Sequence, residues 1–185
     1  MNNETDEQVA VRAQSGNTDA YAELLSRYEN RLLRYVSFLT HDSSLASDIV
    51  QETFISAYQN LRSYDAKRKF SSWIYRIAHN KSIDAIRKDH HLSDTDVDDL
   101  PVTAYEPTVS DMYDASLLKA DVQTCIQKLN PKQKSVIQLI YFEQMSYSDA
   151  SDVLHVPVPT IGTWLSRAKK NLKDICTTQG VTYDS

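Results

Sequence analysis

Between Arg62 and Lys88 the chain carries eight basic residues, Arg62, Lys67, Arg68, Lys69, Arg76, Lys81, Arg87 and Lys88, against two acids, Asp65 and Asp84. Aromatic residues are threaded through this charge at Tyr64, Phe70, Trp73 and Tyr75. Cations attract phosphate without regard to base sequence, and flat rings stack on unpaired bases. The combination reads as a grip on single-stranded or melted nucleic acid.

Such a grip needs an element to position it. At 100° per residue, Phe70, Trp73, Ile74, Ile77 and Ala78 fall on one stripe suited to docking on a core. Arg76, Asn80 and Arg87 line a different strip with Ile83 beside them, so one face fixes the helix and another meets the ligand. Lys81 and Asp84 interrupt the apolar stripe. Composition alone also allows an ordinary amphipathic helix with a solvated basic side.

The rest of the chain is helical in pattern. Its 185 residues fit one medium domain or two small ones, and three glycines leave long helices uninterrupted. Apolar residues recur at helical spacing with no alternating strand run, which predicts an all-α fold. The net charge of −5 divides unevenly. Residues 89–116 hold eight acids and no Lys or Arg, while residues 1–88 and 117–185 are slightly basic. With Pro101 and Pro107 inside it, the acidic run reads as a linker between two domains, 1–88 and 117–185.

Before the basic stretch, residues from Asp19 to Leu39 predict a helix. His41–Ser44 reads as a turn in which Ser43 or Ser44 caps the next helix. There Val50, Phe54, Ala57, Tyr58 and Leu61 share an apolar face. Asp48, Gln51 and Glu52 lie elsewhere, on what reads as a solvated face.

Beyond the linker, Leu118, Val122, Cys125, Ile126 and Leu129 form a core face. Asn130-Pro131 then starts a helix whose apolar face is Val136, Ile137, Ile140 and Tyr141. Ser146 and Asp149 form a capping box for a short helix ending near Leu154. A last helix, about Pro159 to Asp174, buries Ile161, Leu165, Ala168 and Leu172. Two short helices with a tight break, the second basic, describe a helix-turn-helix, although many helical hairpins read alike. The opposite side of the last helix presents Thr163, Ser166, Arg167 and Lys170, with Thr160 at its leading end. Trp164 lies about 60–70° from the core stripe and is expected at the domain's edge.

Cys125 and Cys176 have no zinc-ligand spacing, and Cys125 reads as a reduced core thiol. No signal peptide or spanning apolar run is present, so a cytoplasmic protein without membrane insertion is expected. A metal hydrolase built on His41-Asp42 or His90-His91 lacks a second ligand set, and no metal or cofactor is expected.

Residues 70–88, FSSWIYRIAHNKSIDAIRK, resemble the promoter-melting segment of the extracytoplasmic-function (ECF) sigma factors of the sigma-70 family, meeting each fixed position of its pattern. ASDIVQETF, residues 46–54, is similar to the family's segment that docks on a coiled coil of the RNA polymerase β′ subunit. Residues 129–172 resemble its sigma-4 helix-turn-helix. Departures are Asp149-Ala150-Ser151 where Glu-Ile-Ala is usual, His155 for the turn Gly or Asn, Pro159, Gly162 and Trp164. A register shifted by three residues would align Gly162-Thr163 with the family's Gly-Thr but displaces the core stripe.

The resemblance implies two helical domains, sigma-2-like and sigma-4-like, in a non-enzymatic transcription initiation factor. Its partners would be core RNA polymerase (β′ and β subunits), promoter DNA and an anti-sigma factor. Asp48, Gln51 and Glu52 would contact polymerase. Arg62, Tyr64, Lys67, Arg68, Lys69, Phe70, Trp73, Arg76, Asn80, Arg87 and Lys88 would melt and read the −10 element. Thr160, Thr163, Ser166, Arg167 and Lys170 would read the −35 element. The rival is a helix-turn-helix regulator that never touches polymerase, which leaves the aromatic-rich basic stretch without a purpose.

Overall fold

The computed structural model describes residues 4–90 and 124–179, and every regular element among them is helical. The first group contains α1 (Asp6–Gln14), α2 (Thr18–Thr40), α3 (Ser43–Asn60), a single 3₁₀ turn (Leu61–Ser63) and α4 (Phe70–His90). The second opens with a helical turn at 124–127. It continues with α5 (Pro131–Ile137), a π-helical turn (Gln138–Phe142), α6 (Tyr147–Leu154) and α7 (Val158–Thr178). Most of the acidic segment 89–116, with His91, Leu118 and Val122, lies outside the described residues.

Helix α1 was not expected. Its signal is Thr5-x-x-Gln8, a capping box in which each side chain bonds the other's backbone N–H. Val9, Ala10 and Ala13 follow on its buried face. Three small apolar residues in nine are a weak periodic signal, and tertiary packing against α2 stabilises what propensity alone does not.

Helix α2 ends where His41 adopts the left-handed conformation, φ 57°. Asp42 then caps α3, its Oδ1 accepting from the Ser44 and Leu45 N–H groups at 2.8 and 2.9 Å. This corrects the expected Ser43 or Ser44 cap. The acceptor stands one residue earlier because the left-handed His41 turns the chain before Asp42, which is extended.

The first core is unusually aromatic. Tyr28, Tyr35, Tyr75 and Phe70 are each under 2% exposed. Tyr28 meets Phe70 edge-on at 5.4 Å between centroids, and Tyr35 meets Tyr75 at 5.1 Å. Such pairs contribute about 0.5–1.5 kcal/mol beyond area burial.

In the second group Asn130 caps α5 and Pro131 occupies its first turn, as the sequence predicts. The expected apolar face does not persist to Tyr141. The Glu143 N–H bonds the carbonyl of Gln138, five residues back, at 3.0 Å. That extra residue in the turn rotates the register, burying Leu139 and leaving Tyr141 51% exposed. The Ser146–Asp149 capping box opens α6, and the left-handed His155, φ 55°, ends it. Helix α7 buries Ile161, Leu165 and Ala168, with Leu172 partly covered. Packing of α4 on α6 and of α2 on α5 brings the two groups together.

Candidate nucleic-acid interface

The basic segment splits between a turn and a helix. Asp65 builds the turn: its Oδ1 accepts from the Lys67 N–H at 3.0 Å and its carbonyl from the Arg68 N–H at 2.9 Å. Lys67, Arg68 and Lys69 therefore project outward together, and Arg62 is exposed just before them. The Tyr64 hydroxyl pins the turn by donating to the Arg68 carbonyl at 2.5 Å.

Helix α1 braces this turn from below. Gln14 Nε2 donates to the carbonyls of Leu61 and Tyr64, both at 2.8 Å. Glu7 Oε1 accepts from the Phe70 N–H at 3.1 Å, so α1 supplies a cap to the start of α4. Neither residue was marked from sequence, because a cap donated by another helix has no local spacing.

Two of the expected stacking residues are corrected. Tyr64 is 5% exposed and Phe70 1%, with their rings 5.4 Å apart and nearly perpendicular. Their apolar area goes into the core, the stronger use for a large ring, and neither face is open to a base. Trp73 is partly buried against both, 5.2 Å from Tyr64 and 5.6 Å from Phe70.

The expected cations lie where the two helical groups meet. Lys69 Nζ stands 2.6 Å from Asp149 Oδ2 on α6. Arg76 Nε donates to the Asp152 carbonyl at 2.6 Å, and Arg68 stands 3.6 Å from the Asp152 carboxylate. Burial raises the Asp149 pKa, but hydrogen bonds from Lys69 and Ser146 outweigh it and leave the group below its ordinary value. Further along α4, Asn80, Ile83 and Arg87 face Lys132 and Trp164 across a cleft of about 460 Å³. Lys88 is exposed. Trp164 is partly buried at that edge, as its angle predicted, with the Lys132 ammonium 5.8 Å over its ring.

On α3, Asp48, Gln51 and Glu52 are all exposed, and Glu52 pairs with Lys81 of α4 at 3.3 Å. Beside Gln51 an open apolar groove of about 720 Å³ runs between α2 and α3, lined by Leu25, Leu33, Phe54, Ile55 and Tyr58 among others. Tyr58 belongs to the groove rather than the core: it is 54% exposed and its ring packs 4.9 Å from Tyr21. Ile55 is likewise half exposed. A run of acids on one face obscured this groove, whose two walls come from different helices.

On α7, Thr163, Ser166, Arg167 and Lys170 are exposed and Thr160 is partly buried, on the side away from Ile161 and Leu165. Thr163 Oγ1 bonds the Pro159 carbonyl at 3.1 Å. The helix begins at Pro157 without a side-chain cap.

Cys125 and Cys176 are buried, and the Cys125 thiol donates to Gln179 Oε1 at 3.4 Å. Among the described residues no cluster of metal-ligating side chains forms, and no helix is long and apolar enough to cross a membrane.

Comparison with known proteins places this geometry. Sigma-70 region 2 matches residues 24–91, and Sigma-70, region 4 matches residues 119–172. The chain is 32% identical to the ECF RNA polymerase sigma factor SigW of Bacillus subtilis (strain 168), covering 88% of this chain and 91% of SigW. It is 29% identical to the ECF sigma factor SigM of the same organism, over 82% of this chain and 91% of SigM. The solved structure of CnrH in complex with the cytosolic domain of CnrY superposes with a TM-score of 0.71 at 25% identity, covering 95% of this chain and 99% of that one.

Proposed function

The chain belongs to the ECF group of the sigma-70 family, and from that premise we propose how its surfaces share the work of transcription initiation. It is an alternative sigma factor that directs RNA polymerase to promoters. The phosphodiester chemistry is the polymerase's, and the factor itself supplies binding and DNA opening rather than catalysis. It acts in the cytoplasm.

Residues 1–88 form the domain that binds core polymerase and opens the −10 element, residues 89–116 tether it, and residues 117–185 read the −35 element. The observation that carries this division is the arrangement of separate surfaces. An exposed acidic and apolar face lies on α3, a polybasic turn leads into α4, and a polar face runs along α7.

On α3, Asp48, Gln51 and Glu52 contact the β′ subunit, and Ile55 and Tyr58 extend that contact into the groove. An exposed apolar groove edged by charge suits a partner helix better than it suits water. Arg62, Lys67, Arg68, Lys69, Arg76, Asn80, Arg87 and Lys88 engage the melted strand, with Trp73 as the ring still partly open to a base. Thr160, Thr163, Ser166, Arg167 and Lys170 face the −35 duplex. An anti-sigma factor that holds the protein inactive belongs to the same reading, on family grounds.

Asp48→Lys combined with Glu52→Lys tests the polymerase surface. Core binding, measured by anisotropy, is expected to weaken by roughly 2–5 kcal/mol as partner charges are left unpaired. Circular dichroism should hardly change, since both side chains are solvated. Unaltered core affinity would refute the α3 assignment.

A further inference from the structure

The cleft beside α4 holds groups that the promoter contacts do not account for. On one wall α4 contributes His79, Asn80 and Arg87. The opposite wall is Lys132 of α5 and Trp164 of α7, and Ile83 and Leu154 add apolar surface. At about 460 Å³ the space suits a small organic molecule and is far larger than one inorganic ion would fill.

The charged groups of the lining are Arg87 and Lys132 against one acid, Asp84. Asp84 stands 3.8 Å from Arg87 with its side chain 64% exposed, so water screens the acid and the lining stays attractive to an anion. Arg87 offers the forked N–H geometry that fits a phosphate, and Lys132 adds a point charge from the second helical group. The Lys132 ammonium lies 5.8 Å over the Trp164 ring, so a ligand that reaches the cation also meets the indole. His79 brings no charge at neutral pH. Its Nδ1 shares a hydrogen bond of 2.9 Å with the Tyr35 hydroxyl, and burial, then the Arg87 charge, lower its pKa to about 4. The neutral imidazole and the Asn80 amide can pair with the polar edge of a heterocycle. An anion, a flat ring and a hydrogen-bonding edge are the three parts of a nucleotide. An aliphatic ligand would leave the cations unmatched, and an inorganic anion would leave the indole unmatched.

We propose that this cleft binds a free nucleoside phosphate, its phosphates between Arg87 and Lys132 and its base beside Trp164, within reach of Asn80. The inference does not rest on the assignment of α4 to DNA, because Lys132 and Trp164 stand outside that assignment. The same chemistry could reach the cleft as one nucleotide of a single strand, and the test separates the two sources.

The test titrates the full chain at one ionic strength with ADP, GDP, their nucleosides, inorganic pyrophosphate and a single-stranded deoxyoligonucleotide. Binding is read by calorimetry and by the change in tryptophan emission, to which Trp164 contributes from the cleft. ADP or GDP should bind saturably at one site, about tenfold tighter than its nucleoside or pyrophosphate, each of which offers only part of the ligand. This comparison on the parent chain needs no variant to fold. Lys132→Gln should weaken the nucleotide by about tenfold and leave the nucleoside unchanged. Trp164→Leu, which keeps apolar bulk in place of the ring, should weaken nucleotide and nucleoside alike. Lys173→Gln removes the same charge from an exposed site late in α7. Equal losses in Lys173→Gln and Lys132→Gln overturn the proposal, because bulk charge would then explain them. Pyrophosphate that binds as tightly as the nucleotide overturns it too, since the site would then take phosphate alone. Oligonucleotide binding that is lost in Lys132→Gln, with no binding of ADP or GDP, overturns it in favour of a strand nucleotide in the cleft. No binding of either nucleotide to the parent chain overturns it outright.

Discussion

Lys134 and His41 are a contact between the two helical groups that neither side chain would make in water. Lys134 is 7% exposed, and its Nζ lies 2.7 Å from His41 Nε2. Burial lowers Lys134 to about 8. Burial, and then the Lys134 charge, lower His41 to about 4. His79, bonded to the Tyr35 hydroxyl at 2.9 Å, is also lowered to about 4 by burial first and Arg87 second. All three shifts have one sign: the unfolded chain binds more protons than the folded one between the two pKa values. Stability therefore falls as pH drops from about 6.5 toward 4, where both histidines must charge. It rises with pH between about 8 and 10.5, where Lys134 sheds its proton in the folded state first. Urea unfolding should show an acid loss on the order of 5 kcal/mol between pH 7 and pH 4.5 from the two histidines together. His41→Asn keeps a residue that tolerates the left-handed conformation and removes one titration, so it should flatten part of the acid limb. An acid limb identical to that of the parent would assign the loss to other groups.

At the scale of elements, α7 offers the cleanest test of helix energetics against recognition. Gly162 sits in its first turns with an ordinary helical φ, and an added Cβ would meet Tyr147 Cε2 at 3.7 Å, a normal contact. Gly162→Ala should raise unfolding free energy by about 0.5–1 kcal/mol, read from the urea midpoint. No gain would mean that Tyr147 does not tolerate the methyl. Arg167→Ala on the opposite, exposed side should leave stability within about 0.5 kcal/mol. It should weaken duplex binding by about 1–3 kcal/mol for the matching sequence if the guanidinium reads a base. A loss uniform across sequences would make it a phosphate contact. This helix was largely legible in the sequence, because its buried stripe of Ile161, Leu165 and Ala168 repeats at a fixed period and Trp164 falls off it by a known angle. So were the caps at Asn130 and Ser146, whose partners lie three residues away. What escaped reading depends on partners distant in the chain. Glu7 caps α4 from 63 residues away, the π-helical turn turns Tyr141 outward, and the α2–α3 groove takes one wall from each helix. Tyr64 and Phe70 show the same limit from the other side, since an aromatic between cations reads as a stacking ring until its packing partner Tyr28 is known.

For the whole molecule the question is whether two cores behave as one. The Glu143 carboxylate is a buried charge at their boundary, and Tyr75 and Arg31 hold it from the first group while the π-helical turn delivers it from the second. Removing one member of a buried pair typically costs 3–5 kcal/mol, because the remaining charge is stranded. Here the Arg31 side chain is 37% exposed and can return to water, so the expected cost of Glu143→Ala falls to about 1–3 kcal/mol. For a chain of this size that corresponds to a melting midpoint lower by roughly 3–10 °C. The shape of the transition carries more than its position. With the boundary intact, calorimetry should show one cooperative transition at low salt, since unfolding either core exposes the face of the other. Glu143→Ala should split it, the group containing α5–α7 melting first because its buried aliphatic core is smaller than the aromatic core around Tyr28, Tyr35, Phe70 and Tyr75. Arg31→Ala should produce the same splitting to a smaller degree, and the two changes together should cost less than their sum if they remove one shared contact. Strict additivity with a single transition in every variant would mean that Glu143 and Arg31 act independently, and that the Glu143 contact is not what couples the two cores.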